Sequence, residues 1–266
     1  MAILGAILGD IAGSYLEEHR GADLDWKNYK LFQENCQFTD DTVMTLAIKK
    51  AIDEQLPLKE TMQAVGREHP FCGYGKTFFY WIHCDEPKPY NSFGNGAAMR
   101  VSYIGEHFEK LTDVKKWARE SALVSHNHPE GVKGAVTTAV CVWMAKHGKS
   151  KEEILDYCNE QYPKEQYKYA ATHDMQWFRK NYGWEISCQN CVPVAIRCFY
   201  EANSYEEFLR NVISLPADVD TLGAIGGGIA EEYFKTTGFD TARIIETYLT
   251  SDLKEILYGR NSFSIF

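Results

Sequence analysis

The chain contains no run of about 18 consecutive apolar residues, the length a helix needs to cross a bilayer, so a transmembrane helix is not expected. It also has no lysine- or arginine-rich stripe. Its 28 basic side chains are outnumbered by 37 acidic ones, for a formal net charge of −9. A nucleic-acid backbone is gripped by clustered cations, so nucleic-acid binding through phosphates is not expected, although a base remains conceivable as a modified acceptor. No Pro/Gly/Ser-rich linker, low-complexity segment or block of like charge interrupts the 266 residues, and a single domain over 1–266 is expected. Alternating strand patterns and hairpin signals are missing, which argues against a sheet. The opening MAILGAILGDIAGSYLEEH lacks a basic n-region and its apolar run is broken by Asp10, so it does not read as a secretory signal. The eight cysteines (36, 72, 84, 141, 158, 188, 191 and 198) are scattered. Reduced thiols in a cytoplasmic protein are the expectation. Cys188 and Cys191 form one C-x-x-C, but no second follows, and buried thiols fit better than zinc or redox chemistry.

What is present is helical periodicity. With 45% hydrophobic and 24% charged residues, the chain has the composition of a globular protein with a large core. Residues 2–13 are apolar almost all round, as in a buried helix. Gly5, Gly9 and Gly13 recur every four residues on one face of it. Glycine weakens a helix, so such a stripe implies a close neighbour, either another helix or a ligand. Helical spacing recurs over 42–52, 74–83, 113–124, 131–146, 151–160, 191–202, 205–214, 221–234 and 240–250, which predicts an all-α protein of roughly ten or more helices.

Two acidic segments lie far apart: Thr39-Asp40-Asp41-Thr42 and Asp218-Val219-Asp220-Thr221. Each ends in Asp-Thr and leads into an apolar helix. One oxygen suffices for an N-cap, yet two carboxylates crowd each entry. If the two helix starts meet, four carboxylates repel unless cations neutralise them. Their oxygens suit Mg²⁺, Mn²⁺ or Ca²⁺, and two ions could be held between them. Two separate acidic caps would show the same local sequence.

Further segments carry weaker signals. Ser92-Phe93-Gly94-Asn95-Gly96 reads as a loop whose glycines can take positive φ and bring backbone N–H groups to a phosphate. Gly73-Tyr74-Gly75 is another short glycine loop, and Tyr74 or Phe93 is placed to stack on a base or ribose or to join the core. In Ser125-His126-Asn127-His128-Pro129-Glu130-Gly131, Pro129 fits the first helical position, with His128 beside the cap. Hydrogen bonding fits these histidines better than metal ligation.

Taken in order, Gly5–Ser14 with Glu17, Phe38–Thr42, Ser92–Arg100, His126–Gly131 and Asp218–Ile225 resemble the ADP-ribosylglycohydrolase family, which includes dinitrogenase reductase-activating glycohydrolase and the ADP-ribosyl-acceptor hydrolases. The resemblance spans almost the whole chain. It implies an orthogonal all-α fold with a binuclear Mg²⁺ or Mn²⁺ centre. Thr39, Asp40 and Asp41 match the first ligand triplet, and Asp218, Asp220 and Thr221 the second. Glu17 matches a mobile catalytic acid, with Glu18 an adjacent competitor, and Asp41 is its candidate relay partner. Gly73–Gly75 and Ser92–Gly96 match loops that hold ADP-ribose, and His126 a pocket residue near the reacting ribose. One departure is Pro216-Ala217 where the family often has a glycine and an aspartate before the second cluster. The implied activity is hydrolysis of the glycosidic bond between ADP-ribose and an acceptor such as a protein side chain. Arginine, serine, another side chain, a base and a free metabolite all remain open as acceptor.

Three other readings compete. A non-catalytic ADP-ribose-binding or structural protein of the same fold need not keep a full ligand set, whereas all six candidates and Glu17 are present. An all-α prenyl-diphosphate enzyme would want a third carboxylate after Asp40-Asp41, and Thr42-Val43-Met44 supplies none. A metal-dependent phosphohydrolase could be read from His173-Asp174, a single dipeptide without placed partners.

Overall fold

The computed structural model describes residues 1–21 and 23–259. Among these are fifteen helices and no strand; the one β-like feature is an isolated antiparallel bridge between Gly94 and Ser187. In chain order the helices are α1 (Ala2–His19), α2 (Asp40–Asp53), α3 (Leu58–Glu68), α4 (Lys76–His83), α5 (Gly96–Met99), α6 (Ser102–His107), α7 (Leu111–Leu123), α8 (Pro129–Lys146), α9 (Lys151–Gln161), α10 (Met175–Asn181), α11 (Cys188–Tyr200), α12 (Tyr205–Ile213), α13 (Val219–Phe234), α14 (Thr241–Tyr248) and α15 (Ser251–Tyr258). None is long and apolar enough to cross a membrane. The all-α expectation holds. The additional helices are α3, α5, α6, α10 and α15. Four of these have eight residues or fewer. Helices that short are stabilised by tertiary packing more than by their own sequence.

Buried α1 and α13 form the centre. They cross on their glycines: a Cβ on Gly5 would fall 2.2 Å from Gly227 O, on Gly9 2.1 Å from Gly223 O, and on Gly13 2.4 Å from Asp220 N. Only hydrogen side chains allow the two backbones so close. The close neighbour implied by the stripe is therefore a helix, and at Gly13 it is the first turn of α13 itself. This contact brings the Asp10 and Glu17 end of α1 against the acidic start of α13.

The helix starts follow ordinary capping physics. Thr39 Oγ1 accepts from Asp41 N, at 3.3 Å, to cap α2. Pro129 occupies the first turn of α8, and His128 Nδ1 accepts from Glu130 N at 3.1 Å. Ser150 and Glu153 form a reciprocal capping box on α9. Asp174 caps α10, and His173 stacks on Trp177 with ring centroids 3.7 Å apart, so this dipeptide serves the fold. All eight cysteines are unpaired, and Cys188 and Cys191 are buried.

Candidate functional site

α2 and α13 start beside each other and beside α1, so both acidic segments meet. Carboxylate oxygens of Asp10, Asp41 and Asp220 all lie within 4.8 Å of one another, as do those of Glu17, Asp218 and Asp220. Asp10, Asp41, Asp218 and Asp220 are buried, while Asp40 and Glu17 are half-buried. The Glu18 side chain, the alternative to Glu17, lies outside the described residues.

Asp10 ties α1 to α2. Its carboxylate accepts from Thr39 N at 2.9 Å, Thr39 Oγ1 at 2.8 Å, Thr42 N at 3.1 Å and Thr42 Oγ1 at 2.5 Å. Burial pushes its carboxyl up to about 6, against the opposing pull of those bonds. The sequence shows Asp10 only as a break in an apolar run. That break is itself a signal, since a charge on an apolar helix needs a buried partner.

The remaining carboxylates repel. Burial, then the charges of Asp10, Asp218 and Glu17, holds Asp40 well above the usual carboxylate range. Burial, then Asp10, Asp40 and Asp218, does the same to Asp41, and burial with Asp218 and Asp41 does so to Asp220. Thr221 Oγ1 donates to Asp41 Oδ2 at 3.2 Å, and Asn95 Nδ2 donates to Asp218 Oδ2 at 2.7 Å. Asp41 Oδ1 is buried and has no hydrogen-bond partner among the described residues. A buried carboxylate oxygen left this way costs free energy that a cation would recover.

A cavity of about 380 Å³ opens over this cluster. Glu17, Asp40, Asp41, Asp218, Asp220 and Thr221 line it, together with Gly73, Gly75, Ser92, Gly94, Asn95, Gly96 and His126. Three anticipated residues stand elsewhere. Thr39 is buried behind Asp10 and Asp41. Tyr74 packs against the core with its hydroxyl buried. Phe93 is 48% exposed, with its ring against His128. Trp184 and Ile186 line the cavity without having been anticipated. They arrive through the Gly94–Ser187 bridge and a bond from Asn95 N to Ile186 O at 2.9 Å, a long-range pairing with no local signature.

The glycine loop differs from its expected form. Positive φ occurs at Gly73 (88°) and Asn91 (56°), not at Gly94 or Gly96. Gly94 N donates to Ser92 Oγ at 3.1 Å, so this amide is engaged within the loop. Glycine at 96 leaves room beside the imidazole, since a Cβ there would sit 3.2 Å from His126 Nε2, a tight contact. Ala217 has no positive φ either, so the alanine fits where the family often has another residue.

Comparison with known proteins shows the family and the fold. The family model described as ADP-ribosylglycohydrolase covers residues 1–231. ADP-ribosylhydrolase ARH3 of Homo sapiens is 27% identical, over 87% of this chain and 84% of its own length. An uncharacterized protein of Archaeoglobus fulgidus is 32% identical over 50% of this chain and 47% of its own. Among solved structures, one titled an ADP-ribosylglycohydrolase-related protein complex superposes with a TM-score of 0.72 at 20% identity, covering 96% of this chain and 92% of its own, which shows a common fold. The chain belongs to the ADP-ribosylglycohydrolase family.

Proposed function

We propose that this protein hydrolyses the glycosidic bond joining ADP-ribose to an acceptor, at a centre that takes two divalent cations, Mg²⁺ or Mn²⁺. The observation that carries the reading is Asp41 Oδ1, buried without a partner among the described residues and amid carboxylates that repel one another. Asp40, Asp41, Asp218, Asp220 and Thr221, which line the cavity, would hold the cations, and Thr39, the sixth candidate, stands behind them with its hydroxyl bonded to Asp10 and Asp41; an all-oxygen donor set suits hard cations rather than zinc. When bound, the cations would neutralise these carboxylates and polarise the oxygen atoms they touch. Asp10 has its oxygens committed to Thr39 and Thr42, so its role is to fix the first ligand triplet. Asn95 holds Asp218 in the same way, from the start of α5.

In hydrolysis a water oxygen bonds to the anomeric carbon while the bond to the acceptor breaks. The acceptor leaves with the electron pair and gains a proton, through an oxocarbenium-like state. Glu17 reaches the cavity from the last turn of α1, among Asp218 and Asp220, and serves as the base that takes the water's proton, with Asp41 as relay partner. Gly73, Gly75, Ser92, Gly94, Asn95, Gly96 and His126 form the ADP-ribose-binding wall, with Tyr74 and Phe93 behind and beside it. The cavity falls in the size range of small-ligand sites. The acceptor is a modified protein side chain rather than a nucleic acid, in keeping with a net charge of −9 and no basic stripe. The protein acts as one domain, because α1 and α13 from distant parts of the chain build the same centre. The eight unpaired cysteines support a cytoplasmic location.

The deciding experiment incubates the protein with defined ADP-ribosylated arginine, serine and other acceptors, with Mg²⁺ or Mn²⁺, and measures released ADP-ribose. Release that stops with chelator and resumes with metal is expected. ADP-ribose binding with no release from any acceptor would favour a non-catalytic binder instead.

A further inference from the structure

The hydrogen bonds behind His126 decide which of its nitrogens faces the cavity. Arg100 is fully buried, at 0% exposure. Its Nη2 donates to Ser121 O at 2.6 Å and to Ser125 Oγ at 3.1 Å, and its guanidinium lies 5.7 Å from the Phe78 ring centroid. Ser125 Oγ lies 2.8 Å from His126 Nδ1. A guanidinium can only donate, so Ser125 Oγ accepts from Arg100 and keeps its own proton to give. Its remaining partner among the described residues is His126 Nδ1. Were Nδ1 protonated, the buried Ser125 hydroxyl would have no acceptor there, and an unsatisfied buried donor is disfavoured. Nδ1 therefore accepts.

We propose that Arg100 and Ser125 are positioning residues that hold His126 as the neutral tautomer protonated on Nε2, so that it offers a hydrogen-bond donor to an oxygen of the bound ligand. Nε2 is adjacent to Gly94 and Gly96, where side chains would stand 3.5 Å and 3.2 Å from it, so both glycines leave it open. The Phe78 and Tyr90 rings flank the imidazole with centroids 5.8 Å and 5.6 Å away. The charged group facing the ring is the Arg100 cation, and the Tyr90 phenol is pushed up to about 12 by burial and stays neutral. Burial and Arg100 together disfavour the imidazolium. His126 is thus a donor with a fixed direction rather than a proton shuttle. The inference rests on the ADP-ribose reading for the ligand's identity but not for the tautomer.

The test is nitrogen-15 NMR of the histidine rings in the ligand-free protein, with His126→Gln to assign the signal, alongside ADP-ribose titration with Mg²⁺. His126 should be neutral and protonated on Nε2 at about pH 8 and should remain so as pH falls through the ordinary imidazole range. Ser125→Ala should mix the tautomers and weaken ADP-ribose binding roughly tenfold. Protonation on Nδ1 in the unsubstituted protein overturns the proposal without any variant, as does Ser125→Ala with unchanged tautomer and affinity. Nε2 protonation without ADP-ribose binding overturns the ligand reading and leaves the relay standing. Nδ1 protonation with ADP-ribose binding does the reverse.

Discussion

Gly9 and Gly223 meet backbone to backbone: a Cβ on Gly9 would lie 2.1 Å from Gly223 O, and one on Gly223 would lie 2.4 Å from Gly9 O. The metal-ligand candidates of α13 and the catalytic candidate of α1 depend on this contact. Gly9→Ala must push the helices apart, at about 1–3 kcal/mol, the usual cost of overpacking. For a chain of this size that lowers Tm by about 2–4 °C per kcal/mol. Gly183→Ala, with nothing within 4 Å of its added carbon, should leave Tm nearly unchanged. Calorimetry of both variants checks the difference.

Asp10 and Thr42 are the second tie. Thr42→Val keeps the shape and removes the bond from Oγ1 to Asp10 Oδ2. A hydrogen bond to a charged group contributes about 1.5–3 kcal/mol, so denaturant unfolding should show a loss of that order. An unchanged midpoint would mean that Asp10 is held by the Thr39 contacts and the Thr42 amide alone.

Removing a ligand should not cost stability in the metal-free protein. Asp41→Asn takes away a charge that Asp10, Asp40 and Asp218 repel. The chelated variant should melt at or above the chelated parent, yet lose the Tm rise that Mg²⁺ or Mn²⁺ gives the parent by linkage. A variant that melts lower and still responds to metal would place the cation elsewhere.

Protons and cations compete for the same carboxylates. Asp10, Asp40, Asp41 and Asp220 all have folded-state pKa values raised above those of the unfolded chain. A raised carboxylate makes the metal-free fold less stable as pH climbs from the ordinary range, about 4, through the folded value, and that deficit persists above it. Cations offset it where the groups are ionised. The metal-induced Tm rise should therefore be larger at about pH 8 than at about pH 5.5. An equal rise at both would show that the bound ion does not depend on these groups.

Glu17→Gln keeps the side chain's size and removes its basic oxygen. It should lower kcat by roughly 10²–10⁴, the range for losing a general base, with much less effect on ADP-ribose affinity. Glu18→Gln should be close to neutral. Steady-state kinetics and a binding isotherm on the same preparations separate the two, and the reverse pattern would transfer the role to Glu18.

Much of this protein was legible in its sequence because the relevant signals are local. Helical periodicity marked the longer helices except α3, the acidic triplets marked two helix starts, and Pro129 marked the start of α8, each within a few residues. The glycines at 5, 9 and 13 announced a close neighbour but could not name it, because a stripe on one helix is silent about which backbone fills it. Only the tertiary structure decided that α13 fills it, and that Asp10 is bonded to Thr39 and Thr42. It alone brought Trp184 and Ile186 to the cavity and turned Tyr74 into the core. It also placed Ser125 Oγ between a buried arginine and the His126 ring. The physical reason is the same throughout: hydrogen bonds and steric contacts between distant segments depend on distance in space, which no local pattern encodes.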